Sequence, residues 1–303
     1  MFMISVVIPL YNKEQSITRT LASVLAQTYT DYEIVIVNDG SSDHSAQVVE
    51  EFIKSQKNNH QSPIRLVSQP NGGVSSARNR GILESQGEYV AFLDADDLWA
   101  STYLEELINL IADFPGAGIY GMGSNAILKS EQFVENEKNV FRGWTSNPWD
   151  KNFGFWTGSS SSSSRANLIA VGLFDERMAY GEDLDMWYRL LLFGGGVYCS
   201  KCLAFYVQDA ENRAMNKAIP FEKHLPFYIE KYTESRKNNL EFRKYFDEQC
   251  LYRLFPYTGI RKYRKDLKRV LRQIDFSLQK PSMRLRFMFP RLYKLYMKKH
   301  HRI

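Results

Sequence analysis

Residues 89–99 read YVAFLDADDLW, an apolar run that ends in Asp94, Asp96 and Asp97. Three carboxylates in four positions repel one another, and the arrangement is costly unless a cation or a hydrogen-bond donor shares the site. A hard divalent ion such as Mg²⁺ or Mn²⁺ meets that need, because it takes one or two carboxylates and completes its shell with diphosphate oxygens. A second acidic group, Glu182 and Asp183 followed by Asp185, opens GEDLDMWYRL. Acids are also ordinary first-turn residues of a helix, and Asp185 with Arg189 is a plain i,i+4 ion pair.

The elements around these acids are legible from periodicity. Ile4 to Leu10 and Glu33 to Val37 are near-continuous apolar runs of the kind that form buried parallel strands. Between them Ile17, Leu21, Val24 and Leu25 share one face of an amphipathic helix. The alternation continues with a helix after Ser41-Ser42-Asp43, a strand IRLVSQ, a helix VSSARNRGILES and the strand YVAFL. This predicts a doubly wound, mostly parallel α/β sheet with helices on both faces. Ligands in such sheets sit beyond the carboxyl ends of the strands. Those ends are Pro9-Leu10-Tyr11-Asn12, Asn38-Asp39-Gly40, Asn71-Gly72-Gly73 and Asp94-Ala95-Asp96-Asp97, so one polar rim is expected to hold a nucleotide. Neither G-x-G-x-x-G after the first strand nor G-x-x-x-x-G-K-[ST] is present, so the phosphates must be handled by other means.

Beyond Asp97 the spacing predicts a helix from Leu98 to Leu110, with Asp97 either supporting the cation site or capping that helix. GIYGMGSNAIL reads as a strand, residues 130 to 157 as irregular, and the serine run at 159–164 as a small-residue strand lining a cleft. CSKC at 199–202 lies inside an apolar stretch rather than opening a helix, which favours two small core residues over a redox pair. Three cysteines make no disulfide framework, which suits a reducing compartment. No apolar segment approaches the roughly 18 residues of a membrane span, and the first residues read as a core strand rather than a signal peptide.

Taken together and in this order, VVIPLYNKE, IVNDGSSD, QPNGGVSSARNRGI, FLDADD and GEDLDMWYRL resemble the family 2 glycosyltransferases of the GT-A fold, in their bacterial surface-polysaccharide branch. The resemblance covers roughly residues 4 to 195. It implies a Rossmann-like nucleotide half at 1–110 and an acceptor half at 111–220, together a catalytic domain at 1–220; the residues from 221 to 303 read by themselves as a helical, aromatic and basic region. The resemblance also implies a UDP-sugar donor, with Pro9, Tyr11, Asn12 and Glu14 around the nucleoside and Asp39 accepting the uracil imide N–H, since a carboxylate is acceptor-only. Asp39 and Asp43 are also consistent with a turn and a helix cap. Ser75, Ser76 and Arg78 fall on the segment that approaches base and diphosphate. Asp94 is implied to face the ribose or a metal-bound water, Ala95 falls with it among the donor-nucleotide residues, and Asp96 is the implied ligand of Mn²⁺ or Mg²⁺. Asp183 matches the base that removes the acceptor proton in an inverting transfer, chosen over Glu182 and Asp185 on motif register. Glu182 and Trp156 are assigned to the acceptor.

The formal charge of +5 conceals an asymmetry: residues 1–200 carry 14 Lys+Arg against 24 Asp+Glu, and residues 201–303 carry 25 against 10. LKRVLRQIDFSL is predicted to align Leu267, Val270, Leu271, Ile274 and Leu278 on one helical face, and PRLYKLYMKKH to repeat the pattern. Basic amphipathic helices lie on anionic membranes or pack as a subdomain with a solvated face. The first reading fits a cytoplasmic enzyme peripheral to the inner face of the cell membrane, extending a glycan or lipid-linked saccharide. No nucleic-acid motif accompanies the charge. The rival readings are a catalytically silent sugar-nucleotide or glycan binder, and a sugar-1-phosphate nucleotidyltransferase, which would need a glycine-rich basic loop where PLYNKEQ stands.

Overall fold

The structure is a computed structural model that describes residues 3–56, 62–128, 140–149, 156–212 and 219–290. The chain divides into two compact units, Met1–Ala218 and Ile219–Ile303.

The first unit is built on one mixed sheet. Strand β1 (Ile4–Leu10) is flanked by β2 (Tyr32–Asp39) and β4 (Tyr89–Phe92), with β3 (Ile64–Gln69) outside β2, all parallel. Every β2 residue is buried, as expected for a strand covered on both faces. Helix α1 (Ile17–Leu25) buries Ile17, Leu21 and Val24 on the sheet, and α2 (Ser45–Gln56) buries Val49. Helix α3 (Val74–Glu84) approaches β1 most closely at Gly81, where a Cβ would lie 2.3 Å from Val7 Cγ1. Pro9 is tolerated inside β1 for a specific reason. The Val7 carbonyl accepts the Leu93 N–H, so Val7 and Pro9 both aim their backbone at the β4 side, and that ladder ends at Val7 and Phe92. The missing proline N–H therefore removes no ladder bond.

The predicted helix from Leu98 is not formed. Leu98–Trp99 is a short strand, β5, paired antiparallel with Phe205 and Ala204, and helix α4 runs over Tyr103–Asp113. The Ala100 N–H donates to Leu203 O, and Trp99 stacks on Tyr103 with ring centroids 3.9 Å apart. Pairing and aromatic burial thus claim residues 98–100 before a helix can start, and Asp97 is not its cap. The sheet continues through β6 (Ile119–Ile127), β7 (Arg142–Trp144), β8 (Ser161–Ser164) and β9 (Gly196–Val207). Their order, β3-β2-β1-β4-β8-β6-β9-β5 with β7 on β9, places the serine strand centrally between β4 and β6. Helix α5 (Arg165–Ala170) follows β8, and α6 (Glu182–Gly194) precedes β9. Cys199 and Cys202 are buried free thiols on β9, at the level where its register with β6 shifts. Of the 130–157 stretch, residues 130–139 and 150–155 lie outside the described residues.

The second unit holds α7 (Thr233–Asn238), α8 (Leu240–Leu254), α9 (Arg264–Leu271) and α10 (Pro281–Met288), joined by 3₁₀ turns. Its core includes Tyr232, Phe242 and Phe246, whose rings lie 4.6–5.6 Å apart. The continuous face predicted from Leu267 to Leu278 is interrupted after Leu271. A buried Arg236–Asp247 pair takes the Gln273 carbonyl through Arg236 and the Asp275 N–H through Asp247, and Phe276–Leu278 forms a 3₁₀ turn instead. Satisfying that buried pair outweighs the helical propensity of the segment. The second basic stretch lies outside the described residues from Arg291 onward.

Candidate active site

The loops after β1 and β2 are knitted together by their own polar side chains. Asn12 adopts a left-handed backbone conformation (φ 52°), its N–H donates to Ser41 Oγ, and its Oδ1 accepts the Ser42 N–H at 2.8 Å. The Lys13 N–H donates to Ser45 Oγ and the Glu14 N–H to Asp43, while Glu14 Oε2 accepts the His44 N–H. Asn12 and Glu14 thus shape the rim, and Tyr11 stands partly exposed beside them. Asp39, at the end of β2, is buried and holds the next loop. Its Oδ1 accepts the Gly72 N–H (2.9 Å) and Gln69 Nε2 (2.8 Å), and its Oδ2 accepts the Gly73 N–H (2.8 Å). Ser76 Oγ accepts a 3.3 Å bond from the same Gln69, and the buried Ser75 hydroxyl has no partner among the described residues.

At the end of β4 the acids separate into three environments. Asp94 Oδ1 pairs with Arg78 Nη2 at 2.8 Å, and Asp96 Oδ2 pairs with Lys13 Nζ at 2.6 Å. Asp97 is buried, with Oδ2 accepting from Ser159 Oγ and Oδ1 accepting the Val207 N–H at 3.1 Å. Burial, then the charges of Asp94 and Asp96, pushes the Asp97 carboxyl well above the usual carboxylate range. Burial also raises Asp96, against the pull of Lys13. Ala95 is buried, its carbonyl accepting from Thr20 Oγ1. The Asp94 N–H donates to Ser159 Oγ, so that one serine ties Asp94 to Asp97.

Helix α6 brings the second acidic group to the same place. Gly181 caps it in the left-handed region (φ 81°), a conformation that a residue with a Cβ adopts at a cost. Glu182 Oε1 accepts from Arg78 Nη1 at 3.2 Å, so Arg78 holds Asp94 with one terminal nitrogen and Glu182 with the other. Burial pushes the Glu182 carboxyl up to about 7, with Asp183 adding to the rise and Arg78 opposing it. Asp183 Oδ1 accepts the Leu184 N–H at 2.7 Å. Asp185 is buried on Arg189, which also donates to the carbonyls of Val171 and Leu173, so it has a structural task. Trp156 packs its ring against Gly121 and Gly196, where added Cβ atoms would lie 2.5 and 3.0 Å from it, and meets Tyr198 edge-on.

The site therefore joins Asp94, Arg78, Glu182 and Asp183, with Asp96 and Lys13 beside them, while Asp39 and Asn12 also tie the neighbouring loops together. Among the described residues no three His, Cys, Asp or Glu side chains are grouped to hold a metal. Asp94 and Asp96, which pair with Arg78 and Lys13, are oxygen donors of the type that a hard divalent ion takes together with phosphate oxygens and water. Sequence reasoning missed Lys13, Glu211 and Ser159. The Glu211 carbonyl accepts from Lys13 Nζ, and its carboxylate accepts the N–H groups of Gln15 and Ser16 at the start of α1. Lys13 could have been suspected as a cation within an acidic rim. Glu211, nearly 200 positions away, gave no signal.

Comparison with known proteins agrees with this architecture. The chain is 37% identical over 127 residues to the uncharacterized glycosyltransferase EpsJ of Bacillus subtilis, covering 41% of this chain and 36% of EpsJ. It is 33% identical over 145 residues to WfgD of Escherichia coli, a UDP-Glc:alpha-D-GlcNAc-diphosphoundecaprenol beta-1,3-glucosyltransferase, covering 46% of this chain and 54% of WfgD. The chain thus matches between about a third and about half of the length of these two relatives. The crystal structure of Staphylococcus aureus TarS 1–349 in complex with UDP-GlcNAc shares the fold, with TM-score 0.68 at 19% identity over 91% of this chain and 82% of that one. The pattern of glycosyl transferase family 2 matches residues 5–161, which is more than half of the chain and takes in β1 through the start of the serine strand, and the chain belongs to that family.

Proposed function

We propose that this protein is a metal-assisted, inverting glycosyltransferase that moves a sugar from a UDP-sugar to an acceptor hydroxyl. The observation that supports it is the meeting of two acidic groups at one buried guanidinium, which pairs with Asp94 of the first and Glu182 of the second, while Asp96 beside them pairs with Lys13. On this reading Asp39, with three of its roughly four lone-pair sites used, accepts the uracil N–H with the remaining one. Pro9, Tyr11, Asn12, Glu14, Ser75 and Ser76 line the nucleoside pocket, with Asp94 and Ala95 at the ribose. Asp96 holds Mn²⁺ or Mg²⁺, and Glu182 and Trp156 face the acceptor. A bound divalent ion supplies charge neutralisation at the diphosphate.

In the transfer, the acceptor oxygen bonds to the anomeric carbon as the bond to the diphosphate oxygen breaks, and its electron pair leaves with UDP. The hydroxyl proton passes to Asp183, without which a sugar hydroxyl is too weak a nucleophile near neutral pH. A single displacement of this kind inverts the anomeric centre. The similarity to WfgD, a glucosyltransferase with a UDP-glucose donor and a diphosphoundecaprenol-linked acceptor, supports a lipid-linked saccharide as acceptor. That acceptor would have the protein work in the cytoplasm at the inner face of the membrane, held there by its basic C-terminal unit.

Calorimetric titration of UDP, with GDP and CMP as controls, with and without Mn²⁺, on wild type and Asp96→Asn tests the donor half. The expected result is UDP-selective binding that Mn²⁺ strengthens and Asp96→Asn loses. Binding indifferent to base and metal would favour a silent glycan or nucleotide binder.

A further inference from the structure

Arg78 is 3% exposed and stands in a built enclosure. Its Nη2 is 2.8 Å from Asp94 Oδ1 and its Nη1 3.2 Å from Glu182 Oε1. The Phe174 ring lies beneath the guanidinium, 5.4 Å from Cζ to centroid. Gly158 closes the other approach, since a Cβ there would lie 2.8 Å from Nη2 and 2.9 Å from Asp94 Oδ2. The next residue, Asn79, fixes Phe174 by donating to its carbonyl and accepting its N–H, at 2.9 and 2.8 Å. Phe174 in turn meets Phe92 and Trp187 edge-on. The guanidinium Nε–H has no partner among the described residues, so the two terminal nitrogens carry its bonding to the carboxylates.

Two features set this apart from a surface ion pair. Asp94 comes from the end of β4 and Glu182 from the start of α6, so one rigid fork spans the two elements that carry the donor-side and acceptor-side acids. The pairs are also desolvated at Arg78, where charge and geometry count for more than in water. One N–H of each terminal nitrogen is thus engaged by a carboxylate, and each carboxylate belongs to a different element.

We infer that Arg78 is a positioning residue for the transfer, holding the donor-side Asp94 and the Glu182 beside the proposed base Asp183 at one fixed spacing. The inference rests on the transferase reading above. Consequently, a change at either carboxylate is felt at the other through the shared guanidinium, although the two acids belong to different elements.

The test is a mutant cycle of Asp94→Asn and Glu182→Gln, singly and together, in the wild-type and Arg78→Lys backgrounds. Readouts are UDP-sugar turnover, UDP affinity by calorimetry and the unfolding midpoint. In the wild-type background the two substitutions should be non-additive by at least about 5-fold in kcat, as groups in one network are. In the Arg78→Lys background they should multiply to within about 2-fold, because an ammonium lacks the planar fork that serves two carboxylates together. Arg78→Lys itself should lower kcat by about 10-fold or more through misplacement, with UDP affinity changed by less than about 3-fold. Should Arg78→Lys not fold, Phe174→Leu removes the ring under the guanidinium and should weaken the same coupling. Independent effects in the wild-type background overturn the inference. A loss of UDP affinity equal to the loss of turnover also overturns it, by putting Arg78 on the nucleotide. Active wild type with an additive cycle sinks this inference alone, whereas wild type that turns over no UDP-sugar sinks the transferase reading with it.

Discussion

Asp94, Asp96 and Asp97 are near neighbours in the chain and reach three different solutions to the same repulsion: a buried arginine, a lysine, and a pair of neutral donors. Their presence at a strand end was legible from type and spacing. Their counter-charges were not, because Lys13 and Arg78 arrive from 83 and 16 positions away and only the fold brings them in. The same holds for Glu182 and Asp183, whose motif register suggested the base but whose environments differ through burial. If Asp183 takes the proton, Asp183→Asn should keep UDP affinity within about 2-fold while cutting turnover at least about 10²-fold. A parallel collapse of UDP affinity, read by calorimetry, would remove it from that role. Glu182 gives a prediction in pH. Its folded carboxyl sits at about 7 against an ordinary value of 4.5, so between those values the folded chain holds a proton that the unfolded chain has released. Stability from this group is therefore present at low pH, declines as pH rises through that window, and levels off above it. Glu182→Gln should show a flatter profile, so its unfolding midpoint should rise relative to wild type between pH 5 and 8; a constant offset would contradict the assigned burial.

Among the elements, the parallel half of the sheet follows its hydrophobic pattern closely, since β1, β2 and β4 are apolar runs with burial on both faces. Helix α4 departs from expectation because Leu98 and Trp99 have a better use as a strand against β9. The serine strand was legible as a small-residue strand but not as a central one. Its pairing with β4 and β6 is a non-local fact, and Ser159 at its head serves the acid cluster. Close approach of α3 to β1 is what carries Arg78 to the end of β4, and it depends on Gly81. Gly81→Ala should drive its methyl into Val7 and destabilise the fold by about 1–3 kcal/mol, the usual cost of overpacking, measured by urea or thermal unfolding. Unchanged stability would mean that the helix can withdraw without cost.

At the scale of the whole molecule, charge is divided as the chain is. Residues 219–303 hold 22 Lys+Arg against 8 Asp+Glu, and no helix among the described residues is long and apolar enough to cross a membrane. On α10 Leu285 and Met288 share one face, with Phe289 at its C-cap; each is at least half exposed, and in the sequence a basic run follows from Arg291. Such a face suits an anionic surface better than water. Sedimentation with phosphatidylglycerol vesicles should show binding that weakens between 0.05 and 0.5 M salt, as screening requires. It should be absent with zwitterionic vesicles and reduced by Met288→Ser with Phe289→Ser. Equal binding to both vesicle types would argue against the electrostatic part of the reading.

By itself the sequence determined the βαβ succession, the polar rim at the strand ends, the two acidic groups and the basic C-terminal region, because these are written in local periodicity, turn residues and charge counts. Only the tertiary structure decided which cation faces which acid, that Asp97 is buried on Ser159 and Val207 rather than capping a helix, and that one arginine joins β4 to α6. The physical reason is that ion pairing, desolvation and close packing depend on distances between residues far apart in the chain. Periodicity carries no information about those distances.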